Sequence, residues 1–179
     1  MSSRVPSPDA VSLERIGPDR AGLLANLLEL YIHDLSEIFS VRPGPDGRFG
    51  YDKLPLYWSE PERRWAFLIK AGDEVAGFAL VTRGSPAITD PADLDVAEFF
   101  VIRGYRRLGV GQRAARALWD NLPGTWVVRV SEANLEGLRF WSQVVRAYAG
   151  RSAIELTQPG RPHPWRVFRF PSATMGVTS

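Results

Sequence analysis

Apolar residues recur at two periods along the chain and divide it into predicted strands and helices. Short runs rich in β-branched and aromatic residues predict strands at residues 11–16, 65–69, 75–81, 95–102, 125–130, 153–156 and 165–170. Spacings of three and four residues predict one helix or two in succession over 19–39, helices over 110–122 and 134–148, and a short helix within 51–59. Loops rich in glycine and proline separate these elements.

The order of the elements predicts a single α/β domain with a mixed, largely antiparallel central sheet and helices on both faces. The KAGDE turn at residues 70–74 joins two strands as a hairpin, and a strand–helix–strand–helix order follows later. A chain of 179 residues is long enough for one hydrophobic core, and no repeat or linker divides it. We expect the folded domain at residues 11–171, a flexible tail at 1–10 and a C-terminal tail at 172–179.

The composition excludes several kinds of site. The chain has no cysteine, which excludes disulfides and cysteine-bound zinc. Its histidines are His33 and His163, so a histidine-rich metal site is also excluded and we expect no metal. No apolar run approaches the roughly 20 residues of a membrane span, and the N-terminus lacks the apolar stretch of a secretory signal. We therefore expect a cytoplasmic protein that does not bind membranes.

The kinds of basic residue in the chain are more informative than its net charge. The net charge is +2, and of the 22 basic residues only Lys53 and Lys70 are lysines. An excess of arginine is typical of a genome rich in G and C, although a guanidinium also matches the geometry of a phosphate. The basic residues are scattered, without the stripe or interleaved aromatics of a nucleic-acid-binding surface. We therefore expect no nucleic-acid partner.

A glycine-containing corner between a predicted strand and a predicted helix is the clearest chemical signal. Within EFFVIRGYRRLGVGQRAARALW, residues 98–119, Arg106, Gly109 and Gly111 form an R-x-x-G-x-G pattern. Glycines let the backbone adopt positive φ and approach a ligand closely. The free amides at a helix start also carry the positive end of the helix dipole. This corner suits a diphosphate, to which the neighbouring Arg107 adds charge.

Two other phosphate-binding folds compete for the same residues. A P-loop is excluded, because Gln112 and Arg113 stand where its Lys-Ser/Thr pair belongs. The segment GVGQRA also matches the Rossmann pattern G-x-G-x-x-A, with Glu132 about twenty residues on as the ribose-binding acid. However, antiparallel-looking strands precede the glycines, and the chain after them is too short for a doubly wound sheet. The Rossmann fold stays as an alternative that predicts NAD binding.

The corner resembles the acetyl-CoA motif Gln/Arg-x-x-Gly-x-Gly/Ala of the GCN5-related N-acetyltransferase (GNAT) superfamily. The segment NLEGLRFW at residues 134–141 is similar to the N-x-x-A-x-x-F-Y segment of that superfamily, and the order of elements agrees over residues 11–170. The segments LYIHDLSEIF, DGRFGYDKLPLYW and EFFV resemble a bacterial group of predicted acetyltransferases. The resemblance implies a GNAT-like sheet whose middle strands, around residues 98–102 and 125–130, splay apart.

The resemblance implies an acetyl-CoA-dependent N-acetyltransferase that moves an acetyl group to a primary amine by direct attack on the thioester. The backbone of Val101 and Arg103 would bind the pantetheine arm as an added strand, and the Val101 amide would polarise the thioester carbonyl. Asn134 would contact the pantetheine or the pyrophosphate, and Phe140 would pack near the cofactor. The implied cofactor-binding residues are Val101, Arg103, Arg106, Arg107, Leu108, Gly109, Val110, Gly111, Gln112, Asn134, Phe140 and Trp141.

A carboxylate at the start of an apolar strand is the candidate general base. An alkyl amine with a pKa near ~10.4 is on the order of one part in a thousand neutral at pH 7, and only the neutral amine attacks a thioester. Glu98 begins the strand that would carry the acetyl group, and burial within the run EFFV would raise its pKa and make it a better base. The alternatives are an outward-facing glutamate on a half-solvated strand, and His33 as the base.

The sequence departs from the superfamily at the general acid. A tyrosine that can protonate the leaving thiolate often follows the position of Phe140, whereas this chain has Trp141, whose indole donates a hydrogen bond but no proton. Tyr148, two turns later, is an alternative that helical spacing places in the core. A thiolate with a pKa near ~8.5 is a tolerable leaving group, so water would suffice. The departure motivates a non-catalytic acyl-CoA-binding module as an alternative function.

The acceptor site is expected among the first helix and the loop after it. Tyr31, His33, Asp34 and Tyr57 are the candidate substrate-binding residues, because carboxylates beside aromatic rings suit a cationic amine. Each of them also fits an ordinary solvated helix face or loop packing. The implied partner is a small-molecule or peptide amine. Because dimers are common in the superfamily, a homodimer is among the expected assemblies.

Overall fold

The computed structural model describes residues 10–172, so nearly all of both expected tails lies outside the described residues. The strands are β1 (Val11–Arg15), β2 (Arg64–Ala71), β3 (Glu74–Arg83), β4 (Leu94–Val101), β5 (Thr125–Ser131), β6 (Ile154–Gln158) and β7 (Trp165–Pro171). The helices are α1 (Ala21–Leu35), α2 (Leu56–Ser59), α3 (Val110–Asn121) and α4 (Leu135–Ala149). Each of these elements matches a predicted one. Among the described helices, none has both the length and the apolar character needed to cross a membrane.

The strands form one open sheet in the order β1-β2-β3-β4-β5-β7-β6. Neighbouring strands are antiparallel, except for the parallel pair β4 and β5. This topology confirms the prediction of a mixed, largely antiparallel sheet. It also shows that the Rossmann alternative is wrong, because a doubly wound sheet is built mostly from parallel strands.

The sheet has a hydrophobic core on each side, because successive strand residues point to opposite faces. On one side, residues such as Val81 and Val128 pack against α3 and α4, which defines the α3/α4 face. On the other side, residues such as Leu68, Leu80 and Phe100 pack with residues of α1 and α2, which defines the α1/α2 face. Helices therefore cover both faces, as predicted.

The first long helix is shorter than its apolar spacing predicts. The predicted segment, one helix or two in succession, extends through Phe39, whereas α1 ends at Leu35. The Ser36 hydroxyl donates to the carbonyl oxygen of His33 at 2.7 Å, which satisfies one of the acceptors at the helix end. The chain then turns and stacks the Phe39 ring on that of Trp165, with 5.9 Å between centroids. The apolar residues after α1 therefore pack as a turn, outside the helix.

Candidate active site

A bulge in β4 decides which face of the sheet Glu98 occupies. In the ladder with β3, Val96 lies opposite Val81 and Glu98 lies opposite Leu80, so Ala97 is an extra residue without a partner. Directly opposite residues share a face, and Leu80 belongs to the α1/α2 core whereas Val81 belongs to the α3/α4 core. The bulge therefore places Glu98 on the α1/α2 face. Regular alternation from Val96 would have placed it on the other side.

Two tyrosines hold the Glu98 carboxylate. The Tyr31 hydroxyl, from α1, donates to Oε2 at 2.6 Å, and the Tyr51 hydroxyl, from the loop after α1, donates to Oε1 at 3.0 Å. The Tyr31 ring packs edge-on against Phe78 with 5.7 Å between centroids. Tyr31, a predicted acceptor-binding residue, therefore contacts the candidate base directly. Its partner Tyr51 was absent from the predicted set.

Burial controls the ionisation of this cluster. Withdrawal from water raises the pKa of the Glu98 carboxyl above its ordinary value. The hydrogen bonds from Tyr31 and Tyr51 oppose this rise, as do the charges of Arg129 and Lys53. Burial and the charge of Glu98 raise the pKa of both tyrosines well above the ordinary value. At neutral pH both phenols are therefore protonated donors, and Glu98 is a stronger base than an exposed glutamate.

A third phenol and a cavity adjoin this cluster. Tyr57 is 3% exposed, and its hydroxyl lies within range of the polar groups of Tyr51 and Arg64. Burial, together with the charge of Glu98, raises the pKa of Tyr57 to about 12. Tyr51 lines a cavity of about 430 Å³ between α1 and the loop that follows it, with Glu29 and Asp46 also in its wall. A cavity lined by Tyr51 next to a buried carboxylate is a feature of a site that a polar ligand fills.

His33, the alternative base, lies apart from these hydrogen bonds. Its ring is on α1 and lies edge-on to that of Phe49, with 6.3 Å between centroids. The hydrogen bonds that the Glu98 oxygens accept within the described chain come from Tyr31 and Tyr51. His33 therefore makes no hydrogen bond to the Glu98 carboxylate within the described chain.

The middle strands separate next to Glu98. Strands β4 and β5 pair only through residues 94–96 and 126–128. Strand β4 nevertheless continues to Val101, and β5 continues to Ser131. The two strands therefore diverge just before Glu98 and leave the opening that the fold prediction required.

The backbone of Val101 faces this opening. The amide of Ile102 donates to the Ala76 carbonyl oxygen on β3 at 2.9 Å. Because hydrogen-bonded and non-hydrogen-bonded pairs alternate along an antiparallel ladder, the amide and carbonyl of Val101 point away from β3, toward the side that β5 has left. The Val101 carbonyl accepts a hydrogen bond from Nε of Arg106 at 2.8 Å. Its amide is the group that the resemblance assigns to the thioester.

The corner after β4 presents free backbone amides. Arg107 and Gly109 have positive φ, 66° and 78°, and Gly109 precedes the first residue of α3. The amides of residues 107–109 donate no hydrogen bond within the described chain, and that of Gly111 belongs to a first helical turn, where no intrahelical acceptor precedes it. A Cβ at Gly111 would lie 3.2 Å from the Phe140 ring. These residues fit a diphosphate at the positive end of the α3 dipole.

The remaining predicted residues of the corner lie in three different environments. Leu108, at the tip of the corner, is 38% exposed. Val110 is buried and packs on the α3 side of the sheet with Ala114. Gln112 is partly buried in the first turn of α3. Val110 can therefore contribute its backbone to a ligand, whereas Leu108 and Gln112 also offer side chains.

The side chain of Arg106 makes its hydrogen bonds to other residues of the protein. In addition to its bond to Val101, its Nη2 donates to Oδ2 of Asp34 at 2.5 Å, and Nη2 of Arg103 donates to the other Asp34 oxygen at 2.8 Å. Burial opposes ionisation of Asp34, but these hydrogen bonds outweigh it and lower the pKa of its carboxyl. Asp34, predicted to bind the acceptor, thus ties α1 to the corner. Arg107 remains exposed.

The α4 residues that the resemblance singles out also have internal contacts. The Oδ1 of Asn134 caps α4 by accepting a hydrogen bond from the Gly137 amide at 2.9 Å. The Phe140 ring stacks on Phe99 with 6.0 Å between centroids. Trp141 is 8% exposed and packs edge-on against the same Phe99 ring at 5.0 Å. Trp141 therefore lies in the α3/α4 core, and Phe140 lies beside the glycine of the corner.

Sequence reasoning missed a buried ion pair at the same opening. Asp95 is 0% exposed, and each of its oxygens accepts a hydrogen bond from Arg129, from Nε and Nη2 at 2.8 Å. Arg129 follows Val128, the last residue of β5 that pairs with β4. The available signal was an acidic residue inside the apolar run LDVAEFFV, since a buried carboxylate requires a partner.

Comparisons with known proteins agree with this geometry. The model of the acetyltransferase (GNAT) family matches residues 25–143, more than half of the chain. No curated protein sequence matches. A GNAT-family acetyltransferase from Streptococcus agalactiae 2603 aligns with a TM-score of 0.70 at 10% identity, over 92% of this chain and 96% of that one.

Two further solved structures share the fold. An acetyltransferase from Thermus thermophilus aligns with a TM-score of 0.63 at 16% identity, over 90% of this chain and 97% of that one. The aminoglycoside acetyltransferase AAC(6')-Ib, solved with coenzyme A and kanamycin, aligns with a TM-score of 0.64 at 15% identity, over 90% and 95%. At such identities the likeness establishes the fold alone.

The open sheet and its splayed middle strands match the GNAT fold. The chain belongs to the GNAT acetyltransferase family. It is therefore an acetyltransferase with acetyl-CoA as its cosubstrate, which confirms the class of enzyme that the glycine corner indicated.

Proposed function

We propose that this acetyltransferase moves the acetyl group of acetyl-CoA to a primary amine, with Glu98 as the general base. One observation carries the proposal: Glu98 is partly buried beside the opening between β4 and β5, and its pKa is raised. A carboxylate there is positioned to take a proton from an amine that lies over the opening. The amine belongs to a small molecule or a peptide.

Removal of a proton from the amine is the step that most needs the protein. An alkyl amine with a pKa near ~10.4 is almost fully protonated at pH 7, a handicap of roughly 4–5 kcal/mol. Burial makes the Glu98 carboxylate a better proton acceptor. The hydrogen bonds from Tyr31 and Tyr51 hold that carboxylate in one orientation before the amine arrives.

The backbone beyond Glu98 would hold the cosubstrate. Acetyl-CoA supplies a thioester, an electrophilic acyl group on a thiolate that leaves readily because its pKa is near ~8.5. The Val101 amide would polarise the acyl carbonyl, and the free amides of residues 107–111 would hold the pyrophosphate. Because Trp141 is enclosed in the α3/α4 core, we assign no general acid, and water protonates the departing thiolate.

The replacement Glu98→Gln tests the assignment, because the amide keeps the shape of the side chain but accepts no proton. Thiol release from acetyl-CoA is measured across a panel of amines at pH 7, and acetyl-CoA affinity is measured by calorimetry. We expect turnover to fall about 10²–10⁴-fold, the usual contribution of a general base, with unchanged affinity for acetyl-CoA.

Two results would overturn parts of this proposal. Wild-type turnover in Glu98→Gln would remove Glu98 as the base while leaving the transfer itself. Tight binding of acetyl-CoA by the wild type without turnover of any amine would instead indicate an acyl-CoA-binding module.

A further inference from the structure

Arg129 shares the face and the opening with Glu98. Its neighbours Val128 and Val130 belong to the α3/α4 core, so strand alternation places Arg129 on the α1/α2 face. Since Val128 is the last residue of β5 that pairs with β4, Arg129 stands where the opening begins. The charge of Arg129 lowers the pKa of Glu98, which places the two groups within electrostatic range of each other.

The guanidinium of Arg129 is held rigidly with donors to spare. Its Nε and Nη2 are fixed by Asp95, which also accepts a short hydrogen bond from the Ser85 hydroxyl. The Trp165 ring lies 6.0 Å from the Arg129 Cζ. The side chain is 21% exposed, and Nη1 makes no hydrogen bond within the described chain. A planar guanidinium fixed on one edge presents two N–H donors on Nη1 without further ordering cost.

Two cations lie close enough to Glu98 to act on it. The charges of Arg129 and Lys53 both lower the pKa of the Glu98 carboxyl, which places them within electrostatic range of it. On α1, Asp34 is already matched by Arg103 and Arg106. A carboxylate of an acceptor beside Glu98 would be attracted by these cations, while the cavity acids Glu29 and Asp46 already accept hydrogen bonds from the backbone of the loop.

A second pair of the same chemistry lies away from the opening and serves as the reference. Arg169 on β7 donates to the buried Asp93 through Nε at 2.7 Å and Nη2 at 3.1 Å. Its strand pairs with β5 over residues 125–131, so no opening lies beside it. Glu98 is absent from the charges that act on Arg169, whereas it acts on Arg129. A structural Asp–Arg pair therefore exists here without access to the site.

We propose that Arg129 binds a carboxylate of the acceptor, so that the substrate is an amino carboxylic acid whose amine is acetylated beside Glu98. This inference rests on the proposed acetyl transfer and names the class of its acceptor. The Nη1 donors of Arg129 form the anchor, and the bond to Asp95 keeps that anchor in place. Arg129 is a specificity-determining residue, and Glu98 remains the base.

The test uses pairs of acceptors that differ in one group. Amino acids with the amine at increasing distance from the carboxylate are compared with their carboxamides, in the full-length protein with acetyl-CoA. We expect each accepted acid to exceed its amide in kcat/KM by about tenfold or more, the value of one charged hydrogen bond. In Arg129→Gln the KM of the acid should rise toward that of the amide, so that the ratio of their kcat/KM values falls to about one; the ratio is unaffected by any change at Glu98 that acts on both acceptors alike.

Controls separate this role from a structural one. Arg169→Gln removes the reference pair and should leave the preference for acids intact. Arg129→Lys, which keeps a charge beside Asp95, covers the case in which Arg129→Gln does not fold, and should lose most of the preference because the fixed fork is lost. Equal kcat/KM for acids and amides, or a preference for diamines, would overturn the inference while acetyl transfer stands. Failure to acetylate any amine would overturn both.

Discussion

The two faces of the sheet bury different chemistry, although the same strands build both. The α3/α4 face is dominated by large apolar side chains, with Trp119, Trp126 and Phe170 fully enclosed. The α1/α2 face places a carboxylate, Glu98, and the charged Arg129 beside an apolar core. Burial of apolar area stabilises the fold without any requirement for partners, whereas each buried polar group requires one. The comparison shows that the α3/α4 face mainly stabilises the sheet, whereas the α1/α2 face also sets the pKa of Glu98.

The change with the largest expected effect is Glu98→Leu, because it gives the α1/α2 face the apolar chemistry of the α3/α4 face. The leucine leaves the hydroxyls of Tyr31 and Tyr51 without the carboxylate that accepts their hydrogen bonds. We expect acetyl transfer to fall by about 10²–10⁴-fold, the contribution of a general base, and the free energy of unfolding to fall by about 1–3 kcal/mol because buried donors lose their acceptor. Thiol release and denaturant titration measure the two effects.

The control is Ala97→Ser, which changes the residue before Glu98 and keeps both the bulge and the carboxylate. It should keep turnover within a few-fold of the wild type. A Glu98→Leu variant that folds and retains wild-type turnover would show that the α1/α2 face holds no carboxylate that the reaction needs.

A truncation on the α3/α4 face should affect stability alone. Leu118 is 0% exposed on α3, and Leu118→Ala should lower the free energy of unfolding by about 2–5 kcal/mol. Turnover per folded molecule should be unchanged, because Leu118 lies across the sheet from Glu98. Urea denaturation and steady-state kinetics below the unfolding transition check both statements.

The matched variant on the other face is Leu24→Ala, also at a 0% exposed position. Leu24 is on α1, the helix that carries Tyr31, so this change should lower turnover in addition to stability. Equal turnover in Leu24→Ala and Leu118→Ala would contradict the inference that only the α1/α2 face contributes to catalysis.

The smallest expected effect is a shift in pH dependence in Tyr31→Phe. The Tyr31 hydroxyl stabilises the ionised form of Glu98 by a hydrogen bond, so its removal raises the pKa of that carboxyl further. The acid limb of kcat/KM should therefore move to higher pH, by up to about one unit. Tyr105→Phe is the control, since its hydroxyl donates at 2.6 Å to Glu74 at the surface. A limb that stays in place or moves to lower pH would refute Tyr31 as the partner of the base.

The sequence could predict the elements, the corner and Glu98 because each depends on near neighbours. Apolar periods define strands and helices locally, and the pattern around Gly109 and Gly111 lies within a few residues of the strand end. The apolar run explained why Glu98 would be withdrawn from water. The sequence analysis attributed the burial of Glu98 to all of its flanking residues. In the structure, however, Phe99 packs on the α3/α4 face, and Glu98 is enclosed on the other face with Tyr31 and Tyr51.

By itself, then, the sequence determined the order of elements, the mixed sheet, the phosphate-type corner and the presence of a carboxylate beside it. The tertiary structure alone decided which side chains meet that carboxylate: Tyr51 is 47 positions from Glu98, and Asp34 is 69 positions from Arg103. It also placed Arg129 at the opening between β4 and β5, and Trp141 in the α3/α4 core. The physical reason is register: one unpaired residue in β4 reverses the face of every later residue in that strand, and no local period encodes it.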